Sequence, residues 1–345
     1  MRKVFCAVLV IAALTLCFVG QADVQKYQLQ FFDVFDTFSQ ITIYSEDKQL
    51  AQKVCNDAHQ VLLECHRLFD IYNDYPGLNN IKTINDMAGK APVQVDDKLF
   101  ELIRFGKEMY YRTGGRLNIA MGGVLRIWHD HREAGMADPA NATLPDMADL
   151  RAAASTANVD NIILDEENRT VFLADPNMSL DVGAIGKGFG VEMAARTIEA
   201  SGATNVLLDI GGNVRAIGVR SENTPWRVGV QNPDLSSDQP YLTVTSLQDL
   251  SLVSSGDYQR TYMVDGKAYH HIVHPETLMP AEYFHQVTVL TRDSGLADGL
   301  STSLYLMPLE EGRALVDSLD GVEVMWVLMD GTVVRSDGFA AFAGE

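Results

Sequence analysis

The chain reads as an α+β protein in which mixed and antiparallel sheets pack against helices, and three observations lead there. Strand-patterned segments follow one another across residues 205–254 without alternating helices, unlike a doubly wound parallel sheet. Helical stretches with an apolar stripe flank that region on both sides. No internal repeat, long low-complexity run or clear linker divides the chain, so one folded unit is expected.

The elements follow in order. Residues 38–44 (FSQITIY) alternate as a strand and lead into a helix over 47–69, where Val54, Ala58, Val61, Leu62, Cys65 and Leu68 share one face. Residues 72–78 (YNDYPGL) are turn-rich, and a second helix is expected over 97–113. Residues 133–143 read as a surface loop, after which Pro145 starts a helix that runs to 153. Strands are expected at 161–164 and 170–173, a helix at 188–200, then strands at 205–210, 226–230, 242–246 and 250–254. Strands at 286–290 and 322–328 and helices at 296–306 and 309–319 complete the set.

The 345 residues include 47% hydrophobic types and 46 acidic against 27 basic residues, a formal charge of −19. That hydrophobic content excludes a disordered chain, and four cysteines are too few for a disulfide scaffold. The negative charge repels a phosphate backbone, so no nucleic-acid partner is expected.

Arg2 and Lys3, the apolar run 4–19 and the small residues Gly20 and Ala22 read as a secretory signal (1–22) cut after Ala22. An uncleaved anchor, or lipidation at Cys17 behind the large Leu16, are the alternatives, and either would tether the protein to a membrane. Cleavage removes two basic and no acidic residues, leaving 25 against 46 and a charge of −21 on residues 23–345. Cys55 and Cys65 then remain, ten residues and ~15 Å apart on one helix, too far for a disulfide.

Chemistry concentrates in a few segments. In 180–190 (LDVGAIGKGFG), glycines precede a helix and Lys187 adds a compact positive charge, which suits an anion. The segment lacks the P-loop spacing and the G-x-G-x-x-G spacing, and a helix-packing glycine run explains it equally well. Asp209-Ile210-Gly211-Gly212-Asn213 ends a buried strand in a tight turn or a close approach to a ligand. Residues 254–260 (SSGDYQR) form a polar turn, without the G-x-S-x-G elbow of a serine hydrolase.

In 270–274 (HHIVH), strand alternation puts His270 and His274 on one face and His271 on the other. A structural zinc site finds no cysteine there, so one histidine as a general base or phosphate partner is the better reading. Asp298, Ser301 and Thr302 open a helix within about one turn; they are either hard oxygen ligands for Mg²⁺ or a cap with its hydroxyls.

The order of these blocks is more specific than any one of them. TGGRLN at 113–118, LDVGAIGKGFG, LLDIGGNVRAIG at 207–218, SSGDYQR, HHIVHPET and ADGLST at 297–302 resemble the ApbE family of FAD:protein FMN transferases, over about 35–342. The resemblance implies an ApbE-like fold of two intimately packed lobes forming one catalytic unit. It implies a Mg²⁺-dependent enzyme that splits FAD, joins FMN through a phosphodiester to a Thr or Ser of an acceptor redox protein, and releases AMP. It implies export to the bacterial cell envelope.

By position, the resemblance makes Asp298 and Thr302 metal ligands, with Ser301 beside them and the Ala184 carbonyl as a further donor. It assigns flavin-nucleotide contacts to Phe35, Asn85, Asn118, Asp181, Lys187, His271 and Ile272. Three places depart from the pattern. The family's D-P-x-T-G turn reads His274-Pro275-Glu276-Thr277-Leu278, Gly186 stands where Ala is common, and the S-x-x-S-R-x-N block ending at Asn85 has lost both serines and its arginine. His271 is the expected catalytic base with Asp257 as the alternative, and Asp298 is the other catalytic residue. A metal-dependent FAD pyrophosphatase and a non-catalytic flavin-binding protein are the competing functions.

Overall fold

The strand Asn205–Ile210 shows how the layers arise, because its side chains divide between two apolar cores. Val206, Leu208 and Ile210 pack with Ile41, Ile43, Val54, Leu62, Val191 and Ile198, whereas Leu207 joins Val214, Ala216, Leu252 and Met325 on the opposite side. The computed structural model describes residues 24–221 and 223–344. The expected signal segment 1–22, with Cys17, lies outside them.

Eight strands form the central sheet in the order Gln25–Phe31, Ser39–Ser45, Asn205–Ile210, Asn213–Gly218, Ser251–Gly256, Phe284–Thr291, Glu323–Leu328 and Val333–Arg335. Every neighbouring pair is antiparallel. Helices Lys48–Phe69, Gly186–Ala200 and Ser294–Tyr305 cover one face, and a small sheet of Trp226–Gln231, Tyr241–Leu247 and Ala343–Gly344 closes the other. Helix Asp97–Arg112 packs against a second small sheet of Val93–Gln94, Thr170–Leu173 and Ile162–Asp165, and helices Gly122–Ala137 and Met147–Ala154 pack together beside the strand Tyr262–Val264. One apolar cluster runs from Leu99, Phe100, Ile162 and Val171 to Val253, Leu300 and Trp326, so the two regions share a core.

The mixed α+β reading agrees with this architecture, and the expected strands and helices lie within a few residues of their places. One segment differs. Residues 133–137 belong to the helix Gly122–Ala137 and not to a loop. Gly122, Gly123 and Gly135 lower its intrinsic propensity, but close packing requires two of them. A Cβ at Gly122 would lie 2.6 Å from the Ser179 carbonyl oxygen, and one at Gly135 2.7 Å from Tyr262. The helix Ile81–Asp86 and the strands Asn213–Gly218, Tyr262–Val264 and Lys267–Tyr269 carry too little periodicity to be read in advance. Gln25–Phe31 does alternate, with Tyr27, Leu29 and Phe31 on its inner face, and is an element that the sequence reading missed. Cys55 and Cys65 are buried free thiols, as expected. Among the described residues, no helix is long and apolar enough to cross a membrane.

Candidate active site

Three chain segments far apart in sequence meet at the floor of a cleft of about 840 Å³. Gly188 lies in the first turn of the helix Gly186–Ala200, where backbone N–H groups lack intrahelical acceptors. Its N–H donates to Oδ2 of Asp298 at 2.7 Å. Between them there is no room for a side chain, since a Cβ at Gly188 would stand 2.3 Å from the Ser294 carbonyl oxygen and 2.4 Å from the Asp298 Cβ. The glycine run therefore both packs the helix and supplies a donor.

Burial pushes the Asp298 carboxyl above its usual range, and Lys187, the Gly188 N–H and Asn213 oppose that shift. Lys187 donates from Nζ to the Gly211 carbonyl at 2.8 Å, a bond that the diglycine turn makes available with Gly211 and Gly212 both left-handed (φ 55° and 85°). Burial lowers the Lys187 ammonium, Asp298 offsets this and Arg260 adds to it. Asn213 is 1% exposed and lines the cleft beside Asp298, its amide nitrogen without a well-aligned partner among the described residues.

Thr302 and Ala184 also line the cleft. Ser301 sits beside them but faces inward, fully buried, donating to the Asp298 carbonyl at 2.9 Å and meeting the Ser255 hydroxyl at 2.8 Å. Ser255 in turn lies 3.3 Å from Oγ1 of Thr302. No group of three His, Cys, Asp or Glu side chains is gathered among the described residues. A cation held here would thus rest on one carboxylate with hydroxyl and carbonyl oxygens, a donor set of the hard kind that Mg²⁺ prefers and zinc does not.

Asp181 accepts from the Gly183 N–H at 2.8 Å and lines the wall. Burial raises its carboxyl, with Gly183, His129 and Arg260 acting against the rise. Asn85 does not line the cleft. Its side chain brackets Leu180 instead, accepting from the backbone N–H at 2.7 Å and donating to the carbonyl at 3.0 Å, so it fixes the segment that carries Asp181. Asn118 lines the cleft while its amide bonds to the Ala157 carbonyl and the Ala120 N–H, each at 2.9 Å. Phe35 sits in a left-handed turn with Asp36 (φ 51° and 52°), pinned by its N–H to Nδ1 of His66 at 3.1 Å.

His271 and Ile272 line the same cleft. Burial pushes the His271 imidazole down to about 3, helped by Arg260, His270 and Arg132, and its Nδ1 is buried without a partner. His274 turns away and bonds to backbone, but His270 lines the cleft beside His271 while also bonding to backbone. The segment is irregular, not a strand, so the expected alternation does not hold. Asp257 faces His285 at 2.6 Å and does not line the cleft, which separates it from the reacting region.

Several lining residues escaped the sequence reading, among them Tyr72, Arg116, Arg132 and Arg260. Arg260 closes the SSGDYQR block and adopts a left-handed backbone (φ 49°). Among the described residues it has no ion pair or side-chain hydrogen bond, whereas Arg116 is held by Glu276 and Glu311. The polar turn itself was the available signal for Arg260; nothing local marks Tyr72.

Residues 35–326 match the model of the ApbE family. An FAD:protein FMN transferase of Treponema pallidum is 28% identical over 337 residues, covering 92% of this chain and 89% of that one. One of Klebsiella pneumoniae is 28% identical over 86% of this chain and 87% of its own. The crystal structure of an ApbE protein from Thermotoga maritima aligns with a TM-score of 0.81 at 26% identity, over 93% of this chain and all (100%) of that one. The flavin transferase ApbE of Vibrio cholerae, at 21% identity and a TM-score of 0.77, shares the fold.

Proposed function

The chain belongs to the ApbE family, and from that membership we propose how its cleft carries out FMN transfer from FAD to a protein, with Mg²⁺ at the Asp298 floor. The enzyme is a transferase and FAD its substrate. The observation that carries the residue assignment is the convergence of Asp298, Lys187 and Gly188 at one point of the cleft, joined by the 2.7 Å bond.

A protein of net charge −19 must receive the two negative charges of a pyrophosphate. Lys187 and Arg260 supply fixed positive charge inside the cleft, where partial desolvation strengthens it. Asp298 and Thr302, with the Ala184 carbonyl, would hold Mg²⁺, which when bound neutralises charge building on the transferred phosphate. Asn85 and Gly183 orient Asp181 for the nucleotide. Phe35, Asn118 and Ile272 wall the cleft around the flavin nucleotide.

Transfer forms a bond from the acceptor Thr or Ser oxygen to the FMN phosphorus and breaks the bond from that phosphorus to the bridging oxygen. AMP departs with the electron pair. The hydroxyl proton passes to the His271 imidazole, which lines the cleft. An imidazole that burial, Arg260 and Arg132 hold at about 3 is a weak base until the pyrophosphate arrives, which raises it by offsetting the two arginines. Asp257, turned to His285, is poorly placed for the task.

The basic and apolar leader at 1–19 supports export to the cell envelope, with the acceptor an extracytoplasmic redox protein and a membrane tether where the leader is retained. The deciding assay incubates the protein with FAD, Mg²⁺ and an acceptor bearing a Thr, then reads the acceptor by mass spectrometry. An FMN adduct with stoichiometric AMP is expected; free FMN with AMP and no adduct would make the enzyme a pyrophosphatase.

A further inference from the structure

Two of the three clustered histidines act on the backbone. Nδ1 of His270 accepts the N–H of Ile272 at 3.2 Å, while its Nε2 bonds to the Ala281 carbonyl at 2.8 Å. Nδ1 of His274 accepts the N–H groups of Glu276 at 3.1 Å and Thr277 at 3.4 Å. Both lie in a hairpin closed by Ala281 N–H to the Ile272 carbonyl at 3.1 Å and His274 N–H to the Met279 carbonyl at 2.8 Å. Its turn holds Leu278 in the left-handed region (φ 61°), unfavourable for a branched side chain, with the Leu278 carbonyl pinned by the Trp128 indole at 2.9 Å. Between the two acceptors stand His271, Ile272 and Val273, which line the cleft together with His270 itself, whereas His274 lies behind it.

An imidazole nitrogen accepts an N–H only through an unprotonated lone pair. We propose that His270 and His274 are positioning residues that, as neutral acceptors, lock the hairpin holding His271 and Ile272 against the FAD cleft, and that protonation of either one loosens it. The proposal rests on the FAD reading for what the cleft binds. The groups facing His270 are Asp257, Glu282, the neighbouring His271 and the Tyr305 ring; those facing His274 are Arg116, Glu276, Glu311 and the Tyr283 ring. Burial outweighs the acidic neighbours and lowers both imidazoles, so both acceptors are intact at neutral pH.

Flavin fluorescence titration of the full chain with FAD from pH 8 to pH 5 tests the lock without turnover. Each histidine should weaken FAD binding by about tenfold per pH unit below its own pKa. His274→Asn retains a side-chain oxygen that accepts the turn N–H groups and does not protonate. Its acid limb should therefore be shallower by one proton, while His274→Ala binds FAD less tightly than wild type at neutral pH and converges with it in acid. Should His274→Ala fail to fold, the asparagine comparison decides alone. An acid limb equally steep in His274→Asn overturns the proposal. Amide hydrogen exchange of peptides covering 272–281 reads the same opening without ligand: faster acid opening in wild type than in His274→Asn supports the lock, and equal opening refutes it. Expected pH dependence of binding without any FMN transfer to an acceptor would count against the transferase reading and leave the lock standing.

Discussion

Gly188 and Asp298, 110 positions apart, are joined by a 2.7 Å backbone-to-carboxylate hydrogen bond that closes the cleft floor. The bond fixes one carboxylate oxygen and brings the two helix starts into contact around a position with no space for a methyl group.

Replacing Gly188 with Ala should therefore force the Ser294 and Asp298 backbones apart. Overpacking of this kind costs about 1–3 kcal/mol of stability, and displacement of Asp298 should lower FMN transfer by roughly 100-fold. Gly123→Ala is the control, because its Cβ would meet Ala153 at an ordinary 3.4 Å. Denaturant unfolding and steady-state transfer on both variants check the contrast; equal behaviour would remove the close approach as a cause.

Among the described residues Arg260 forms no ion pair, and its charge reaches Asp181 and His271 across the cleft. Arg260→Ala should raise KM for FAD and lower kcat, together by about 10²–10³ in kcat/KM, the scale of losing one charge-stabilising donor. Arg260→Lys should recover part of kcat/KM, with salt sensitivity retained. Loss confined to stability, with kinetics of the folded enzyme unchanged, would place Arg260 outside the chemistry.

His271 should titrate far below an ordinary imidazole in the unliganded protein, near the value of about 3 that burial and Arg260 impose. Addition of FAD should move it upward, since anionic oxygens favour imidazolium. Histidine ring signals followed by NMR through a pH series give both values. A pKa that stays low with FAD bound would leave His271 unsuited to act as the base.

Asn85→Ala should cost about 2–4 kcal/mol, because it strips both backbone partners from the buried Leu180. Asp181 follows Leu180 directly, so KM for FAD should rise as well. Unfolding curves and FAD titrations separate the two effects; a variant with normal stability would mean that water replaces the amide.

Burial pushes the Cys55 thiol up to about 11 and the Cys65 thiol up to about 12. Thiolate is then scarce at neutral pH, and both thiols should resist alkylation until the chain unfolds. Pulsed labelling with mass spectrometry across a denaturant series should show their modification tracking the unfolding transition.

How much was legible in advance follows from what each residue depends on. The stripe on Lys48–Phe69 and the alternation in Asn205–Ile210 mark elements whose burial is dictated by local period, so they could be placed before any contact was known. The helix Gly122–Ala137 could not, because its glycines oppose helix locally and are retained for contacts with Ser179 and Tyr262 made far along the chain. The order of motifs pointed to Lys187, Asp298, Thr302 and His271 as one site, and all four line the cleft.

Sequence alone thus determined the fold class, the family resemblance and the residue types available for the chemistry, since these rest on local periodicity and motif order. Only the tertiary structure decided which side chain faces what. It turned Asn85 onto Leu180, Ser301 onto Ser255 and Asp257 onto His285, and it brought Arg260 into the cleft. The reason is physical: a side chain's role depends on burial and on partners supplied by segments a hundred or more residues away, and neither is written in the spacing of its immediate neighbours.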